Sequence, residues 1–371
     1  MFQVVDTLQI GGAERMAVDV SNGLSARGWD VHLIPTRELG PLEASADAGV
    51  HVTCLQRAGR FDLGGLRRFR RMVGKYRPEI VHAHGWSSLQ FCTVGLAGIR
   101  NAPALVLHDH QSVGLAALPR SYQISAWLLT AAHIAVDQTQ LAAGIRTRRP
   151  LVSAVVANGI PVGRFALKPQ YGAARPARLV MTANVRPPKA QLDLIATVAN
   201  LAEQGVVAHI DLVGSVSDLE YVTECRQRVA DLGLGDQIVF LGAQSDVGER
   251  LAGYDLGVLS SRTESGPIAL IEYMAAGLPF VVTDVGEIPA TLPEELRRWV
   301  VPPGDAPALA AKIRELLELA DSERAKVGAL GRAHVEERLS IDRTIDGIEA
   351  VYDRVRSLRD GAASPQSSLP R

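Results

Sequence analysis

A chain of 371 residues is long for one ordinary core and suits two domains of roughly 150 to 200 residues each. Its 47% hydrophobic and 21% charged residues fit a globular protein with a substantial core and exclude a disordered, low-complexity class. A formal net charge of -1 argues against nucleic acid as a partner, because phosphate-binding surfaces carry a basic excess.

The first residues, Phe2-Gln-Val-Val-Asp6, already read as a strand with no basic and apolar leader before them, so no signal peptide is expected. Cys54, Cys92 and Cys225 are scattered and form no C-x-x-C pair. Neither a disulfide framework nor a structural zinc site is expected, and the implied compartment is reducing, hence cytoplasmic. Short apolar runs predict strands at 3–7, 31–35, 50–55, 80–83, 104–107, 133–136 and 153–156. Helical periodicity falls between them, at 13–27, 63–76 and 88–97. Such runs lack clean alternation, as expected of parallel strands covered on both faces. The apolar stretch at 127–132 is too short to cross a bilayer. Arg67, Arg68, Arg70, Arg71 and Lys75 make a basic helix face, open to solvent or to a membrane surface at the cytoplasmic face.

After Ile160 the rhythm stops. Residues 161–178 are rich in Pro, Gly, Ala and basic side chains and read as a linker. Strands then resume at 179–182, 209–213, 238–241, 256–259, 280–283 and 299–301, with helices at 190–204, 219–232, 267–276 and 306–320. Two more helices, 321–338 and 341–359, close the pattern. The reading is α/β throughout: two Rossmann-like, doubly wound domains at 1–160 and 179–338 facing an interdomain cleft. A helical segment at 339–360 follows, and 361–371 is a small, polar, disordered tail.

Five segments carry chemistry. In Ser261-Arg-Thr-Glu264-Ser265-Gly266-Pro267-Ile268, Pro267 suits the first position of a short helix and Gly277 its C-cap. The helix start presents amides from Gly266 to Ile268, an anion site. Glu264 precedes it and Glu272 lies along it, a pairing suited to a sugar diphosphate. Taken alone, two glutamates eight apart are an ordinary loop and helix pair; the Gly-Pro start and the Gly-x-Pro end favour the site. Arg186 and Lys189 follow the first strand of the second half, where cations can neutralise a diphosphate leaving group. Gly11 and Gly12 open a helix after the first strand, allowing close backbone approach. His82/His84 and His108/His110 stand at strand ends as i, i+2 pairs on one face, able either to line a cleft rim or to chelate. Asn158-Gly159 reads as a turn at the domain junction.

Taken in chain order, the segments resemble glycosyltransferase family 4, the glycosyl transferases group 1, with its G-G-x-E-R loop, N-G-[VI]-x-x-x-x-F junction and E-x7-E signature. The resemblance implies the retaining GT-B architecture, in which the 339–360 helix crosses back to the first domain, with Glu264 on donor sugar hydroxyls and Glu272 on the ribose. It further implies that Arg186 and Lys189 hold the diphosphate and that Ser265, Gly266, Pro267 and Ile268 carry donor contacts. Gly11 and Gly12 would meet a donor phosphate, and His108, or else His110, would face the reacting sugar. Ser265 stands where the family often has Gly, and Asn184 where it often has the Arg. The implied reaction moves a sugar from a nucleotide-diphosphate donor to an unidentified acceptor, a polysaccharide, glycolipid or small molecule of the kind used in cell-envelope biosynthesis. No D-x-D pair stands at a strand end, so no metal and no cofactor are expected. The rivals are a GT-B sugar-nucleotide epimerase, a metal-dependent hydrolase using the H-x-H pairs, and a non-catalytic sugar-nucleotide binder.

Overall fold

A computed structural model describes the chain except residues 60–61, 111–117, 143–144, 146, 149–150, 173–175, 246 and 364–371. It divides into two compact units, one of Met1–Gln9, Ala13–Ala157 and Asp342–Arg371, the other of Ile10–Gly12 and Asn158–Ile341.

The first unit is built on a seven-stranded parallel sheet, in the order β3-β2-β1-β4-β5-β6-β7. Its strands are β1 (Phe2–Thr7), β2 (Val31–Glu38), β3 (Val50–Val52), β4 (Ile80–His84), β5 (Ala104–Asp109), β6 (Thr130–Ala135) and β7 (Val152–Val155). Strand order reverses beside β1, which pairs with both β2 and β4. Phe2, Val4, Val81, Leu105 and Leu107 are buried in its core, as strands covered by helices on both faces require. The chain returns to this unit through helix Ile341–Ala363, whose buried Ile345, Ile348, Tyr352 and Val355 recur every three or four residues. On its exposed side Arg27 meets Asp346 at 2.7 Å and Glu349 at 2.6 Å, and Arg356 meets Glu79 at 2.7 Å.

The second unit carries a six-stranded parallel sheet, in the order β10-β9-β8-β11-β12-β13. These are β8 (Ala177–Thr182), β9 (Ala208–Val213), β10 (Ile238–Gly242), β11 (Leu256–Leu259), β12 (Phe280–Thr283) and β13 (Val300–Val301). Order reverses between β8 and β11, and in open α/β sheets ligands bind beyond the strand ends at such a reversal.

Several expectations need correction. Residues 161–178 are not a free spacer: Phe165 and Lys168 are buried, Lys168 donates to the Tyr254 carbonyl, and Ala177 already opens β8. The last helix runs on through Ala363, so 361–363 are helical, while 364–371 of the expected tail lie outside the described residues. The apolar run at 127–132 is split between helix Arg120–Leu129 and the start of β6. Among the described residues no helix is long and apolar enough to cross a membrane.

Candidate active site

In the second unit the loops after β8 and β11 are locked together at the strand-order reversal. After β8, Val185 pairs with Val216, and Pro187–Lys189 form one turn of 3-10 helix. Ala190, in the left-handed region at φ 52°, then turns the chain into helix Gln191–Glu203. The buried Ser260 hydroxyl donates to the carbonyls of Lys189 and Ala190 at 3.1 and 3.0 Å. The Arg262 amide donates to the Pro188 carbonyl at 2.9 Å, and its guanidinium grips Asp193 through two 2.8 Å bonds. These contacts give the Lys189 and Glu264 loops one fixed relation.

Lys189 Nζ lies 2.5 Å from Glu264 Oε1, and the same oxygen accepts the Ser261 hydroxyl at 2.7 Å. Both side chains are largely shielded, at 15% and 10% exposure. Arg186 is exposed, with an extended backbone, and has no ion-pair partner among the described residues. Asn184, at the place where family members often carry the Arg, accepts from the amide and hydroxyl of Ser215, so it ties the β8 turn to the end of β9.

The segment after Glu264 leads into helix Ile268–Ala275. Pro267 is the N-cap rather than the first helical residue, with ψ 96°; its carbonyl accepts the first helical bond from the Leu270 amide at 3.1 Å. The amides of Ile268 and Ala269 precede that bond and belong to the positive helix end. Ser265 is buried, its carbonyl accepts from the Glu287 amide at 3.2 Å, and a Cβ on Gly286 would strike that carbonyl at 2.6 Å. Gly277 ends the helix at φ 65°, the left-handed conformation of a Schellman-type stop. Glu272 is half-buried on the helix.

Two residues behind this site were given no role in it by the sequence. Tyr273 is fully buried, and its hydroxyl accepts the Thr182 amide at 2.8 Å at the end of β8. Burial pushes that phenol well above its usual range. Asn158, read as a simple turn residue, donates its side-chain amide to the Gly266 carbonyl at 3.1 Å. Only a tyrosine in an apolar helix, or the Asn of the junction motif, offered any signal for them.

Gly11 and Gly12 occupy the turn after β1 and the first position of helix Gly12–Ala26, and neither has positive φ. A Cβ on Gly12 would meet Ile268 Cδ1 at 3.3 Å. In the first unit the two H-x-H pairs form one array. His84 and His108 are paired residues of β4 and β5, His82 stacks on His84 at 4.6 Å, and His108 lies 4.2 Å from His110, ring centre to ring centre. His108 is fully buried, and neither ring nitrogen has a hydrogen-bond partner among the described residues; His110 is half-buried. Burial, then neighbouring imidazoles, hold His82, His84 and His108 well below the usual histidine range. Burial likewise brings His110 to about 4.

Comparison with known proteins fits this arrangement. Residues 10–164 match the profile of Glycosyltransferase Family 4, and residues 176–319 that of Glycosyl transferases group 1. The N-acetyl-alpha-D-glucosaminyl L-malate synthase of Bacillus anthracis is 30% identical over 53% of this chain and 50% of its own length. The D-inositol 3-phosphate glycosyltransferase of Segniliparus rotundus is 26% identical over 81% of this chain and 71% of its own. Anabaena HepE, solved with UDP and glucose, superposes with TM-score 0.79 at 20% identity, over 95% of this chain and 98% of that one. The matched region spans about half the length of the first curated relatives. The fold is GT-B, with two parallel-sheet Rossmann-like domains, and the chain belongs to glycosyltransferase family 4, the glycosyl transferases group 1.

Proposed function

We propose that the chain is a retaining glycosyltransferase that moves a sugar from a nucleotide-diphosphate donor to an acceptor. The observation that carries this reading is the 2.5 Å approach of Lys189 to Glu264 at the strand-order reversal of the second unit. A cation and a carboxylate sharing one shielded spot suit a ligand with a phosphate beside hydroxyls. When the donor enters, Lys189 turns to the diphosphate and Glu264 to the sugar hydroxyls, each exchanging its partner for a substrate group.

Exposed Arg186 adds a second cation to the diphosphate, and the amides of Ile268 and Ala269, behind Ser265, Gly266 and Pro267, add the positive end of a helix. Glu272 takes the ribose hydroxyls. Gly11 and Gly12 meet a donor phosphate, and His108 meets the reacting sugar. As the glycosidic bond lengthens, negative charge grows on the departing diphosphate, and fixed positive groups stabilise it more in the transition state than in the ground state. The acceptor hydroxyl then attacks from the face the leaving group vacates, its proton passing to the departing diphosphate oxygen, and the anomeric configuration is retained. Lys189 and Arg186 supply this charge themselves, so transfer proceeds without a metal.

The test pairs binding with turnover. UDP, ADP and GDP are screened for thermal stabilisation, since a ligand that binds only the folded state raises Tm. The sugar conjugates of the stabilising nucleotide are then assayed with a panel of acceptors in EDTA. Transfer with retained configuration supports the reading. Epimerised donor without acceptor would replace it with the isomerase, and binding without turnover on any acceptor with the binding protein. Contact with a membrane is part of the same proposal: exposed Arg67, Arg68, Arg70, Arg71 and Lys75 and the exposed Leu63 of that helix suit an anionic surface. Equal cosedimentation with anionic and neutral vesicles would remove it.

A further inference from the structure

Apart from His108, the histidine array in the first unit is not required by the donor chemistry. His82 and His84 lie two residues apart on β4, His108 sits beside His84 on β5, and all three are almost wholly buried. Their ring nitrogens are unevenly satisfied. His82 Nδ1 lies 2.6 Å from the Tyr352 hydroxyl, which leaves Nε2 without a partner among the described residues. His108 has both nitrogens unpartnered there. His84 Nε2 lies 2.8 Å from Gln3 Oε1, and Nδ1 lies 3.1 Å from His110 Nε2. One nitrogen from each of His82, His84 and His108 lies within 4.8 Å of the others.

A buried polar atom without a partner costs about 1–3 kcal/mol, and His82 and His108, each with an unpartnered nitrogen among the described residues, stand with His84 in one cluster that a shared partner would satisfy. Hydrophobic packing cannot explain this, since an aliphatic side chain would fill the same space without that cost. We propose that His82, His84 and His108 form a site for one divalent transition-metal ion of the zinc class, bound through imidazole nitrogen. Zinc–imidazole bonds of about 2.0–2.1 Å place tetrahedral ligand atoms about 3.4 Å apart. Binding would draw the present spacing of up to 4.8 Å in to that value. Imidazole donors without carboxylates select zinc, copper or nickel over magnesium or calcium.

The neighbours already stand where metal-bound histidines need them. Tyr352 Oη accepts from His82 Nδ1–H and aims Nε2 at the ion. Gln3 Oε1 accepts from His84 Nε2–H while Nδ1 turns from His110 to the metal. Both are the outer hydrogen bonds that set the ring orientation of a ligating histidine. Tyr352 comes from the C-terminal helix and Gln3 from β1, so an ion here would tie β4, β5, β1 and that helix together. The site stands apart from the transferase reading except at His108, which both claim. On that reading, metal binding and contact with the sugar exclude one another, so metal lowers transfer.

The test uses the full chain without an added histidine tag, stripped with chelator and titrated with Co2+ and then Zn2+. The expected result is one ion per chain after gel filtration, the visible absorption of nitrogen-ligated Co2+, its displacement by Zn2+, and a Tm raised by the metal. His82→Gln should weaken binding at least tenfold, and Tyr352→Phe, which keeps the ring but loses the acceptor, about tenfold or more. Folding of each variant is checked by circular dichroism. Absence of Co2+ absorption in the wild type at saturating metal overturns the proposal whether or not a variant folds. So does equal affinity in wild type and a folded His82→Gln. Because these readouts need no turnover, they separate this site's failure from failure of the transferase reading.

Discussion

Lys189 and Glu264 stand 75 residues apart in sequence, yet their charged atoms lie 2.5 Å apart at the ends of β8 and β11. On the proposed reading, each is held before any substrate arrives where a donor's phosphate and sugar would separate them. This preorganisation differs from an ordinary surface ion pair, which contributes about 0–1 kcal/mol, because both side chains are shielded and backbone bonds around Ser260 and Arg262 fix both loops.

Glu264→Ala should lower kcat/KM by roughly a hundredfold or more, about 3 kcal/mol of transition-state stabilisation. The fold should survive, since the residue sits on a loop and its removal frees Lys189 toward solvent. Steady-state kinetics with circular dichroism checks this. Near-normal turnover in a folded variant would remove Glu264 from the site.

Lys189→Ala should reduce kcat as well as donor affinity, because charge on the leaving diphosphate grows as the bond breaks. Arg186→Ala should be milder, given its exposure, and the double variant less than additive, as both act on one group. A solvated-turn role predicts instead stability changes within about 0.5 kcal/mol and unchanged kinetics. Rates with and without EDTA decide as well on metal independence: activity abolished by EDTA alone would mean the diphosphate is neutralised by an ion.

Tyr273→Phe removes the acceptor that the Thr182 amide meets at 2.8 Å and leaves a partly buried N–H unpaired. The expected loss is about 1–3 kcal/mol of stability, read by urea denaturation, with little change in kcat. Gly257→Ala should be worse, since its Cβ would lie 2.5 Å from the Tyr273 ring. A Tyr273→Phe variant as stable as wild type would show that the hydroxyl is dispensable.

The histidine array sets a pH dependence whose sign follows from burial. His82, His84 and His108 are held well below their ordinary value of 6.5, and His110 at about 4. The unfolded chain therefore gains these protons near pH 6.5, while the folded chain gains them only further down. Their contribution to stability is whole above about pH 6.5 and is lost as pH falls toward about 4. Unfolding in EDTA from pH 7.5 to 4.5 should show this decline, shallower in His82→Gln. An identical slope in wild type and a folded variant would exclude the array as its source.

Much of this was legible in the residues alone. All thirteen strands among the described residues fall at or overlapping the apolar runs, because burial on both faces of a parallel sheet leaves an unbroken local signature. Gly277 marked a helix end because a left-handed residue after the last turn favours glycine. Helix Arg120–Leu129 escaped notice for a physical reason: it buries Ser125 and Ala126 while exposing Ile124, Trp127 and Leu128, the reverse of the pattern by which amphipathic helices are read. The one-turn helices at 247–250, 288–291 and 294–297 are too short to carry a period. What only the tertiary structure decided is which distant groups meet. Glu264 and Lys189, Tyr273 and Thr182, His82 and Tyr352 are each joined across 75, 91 and 270 residues. Local periodicity records which side of a strand or helix is buried, whereas the strand order that brings two strand ends together is set by the packing of the whole sheet.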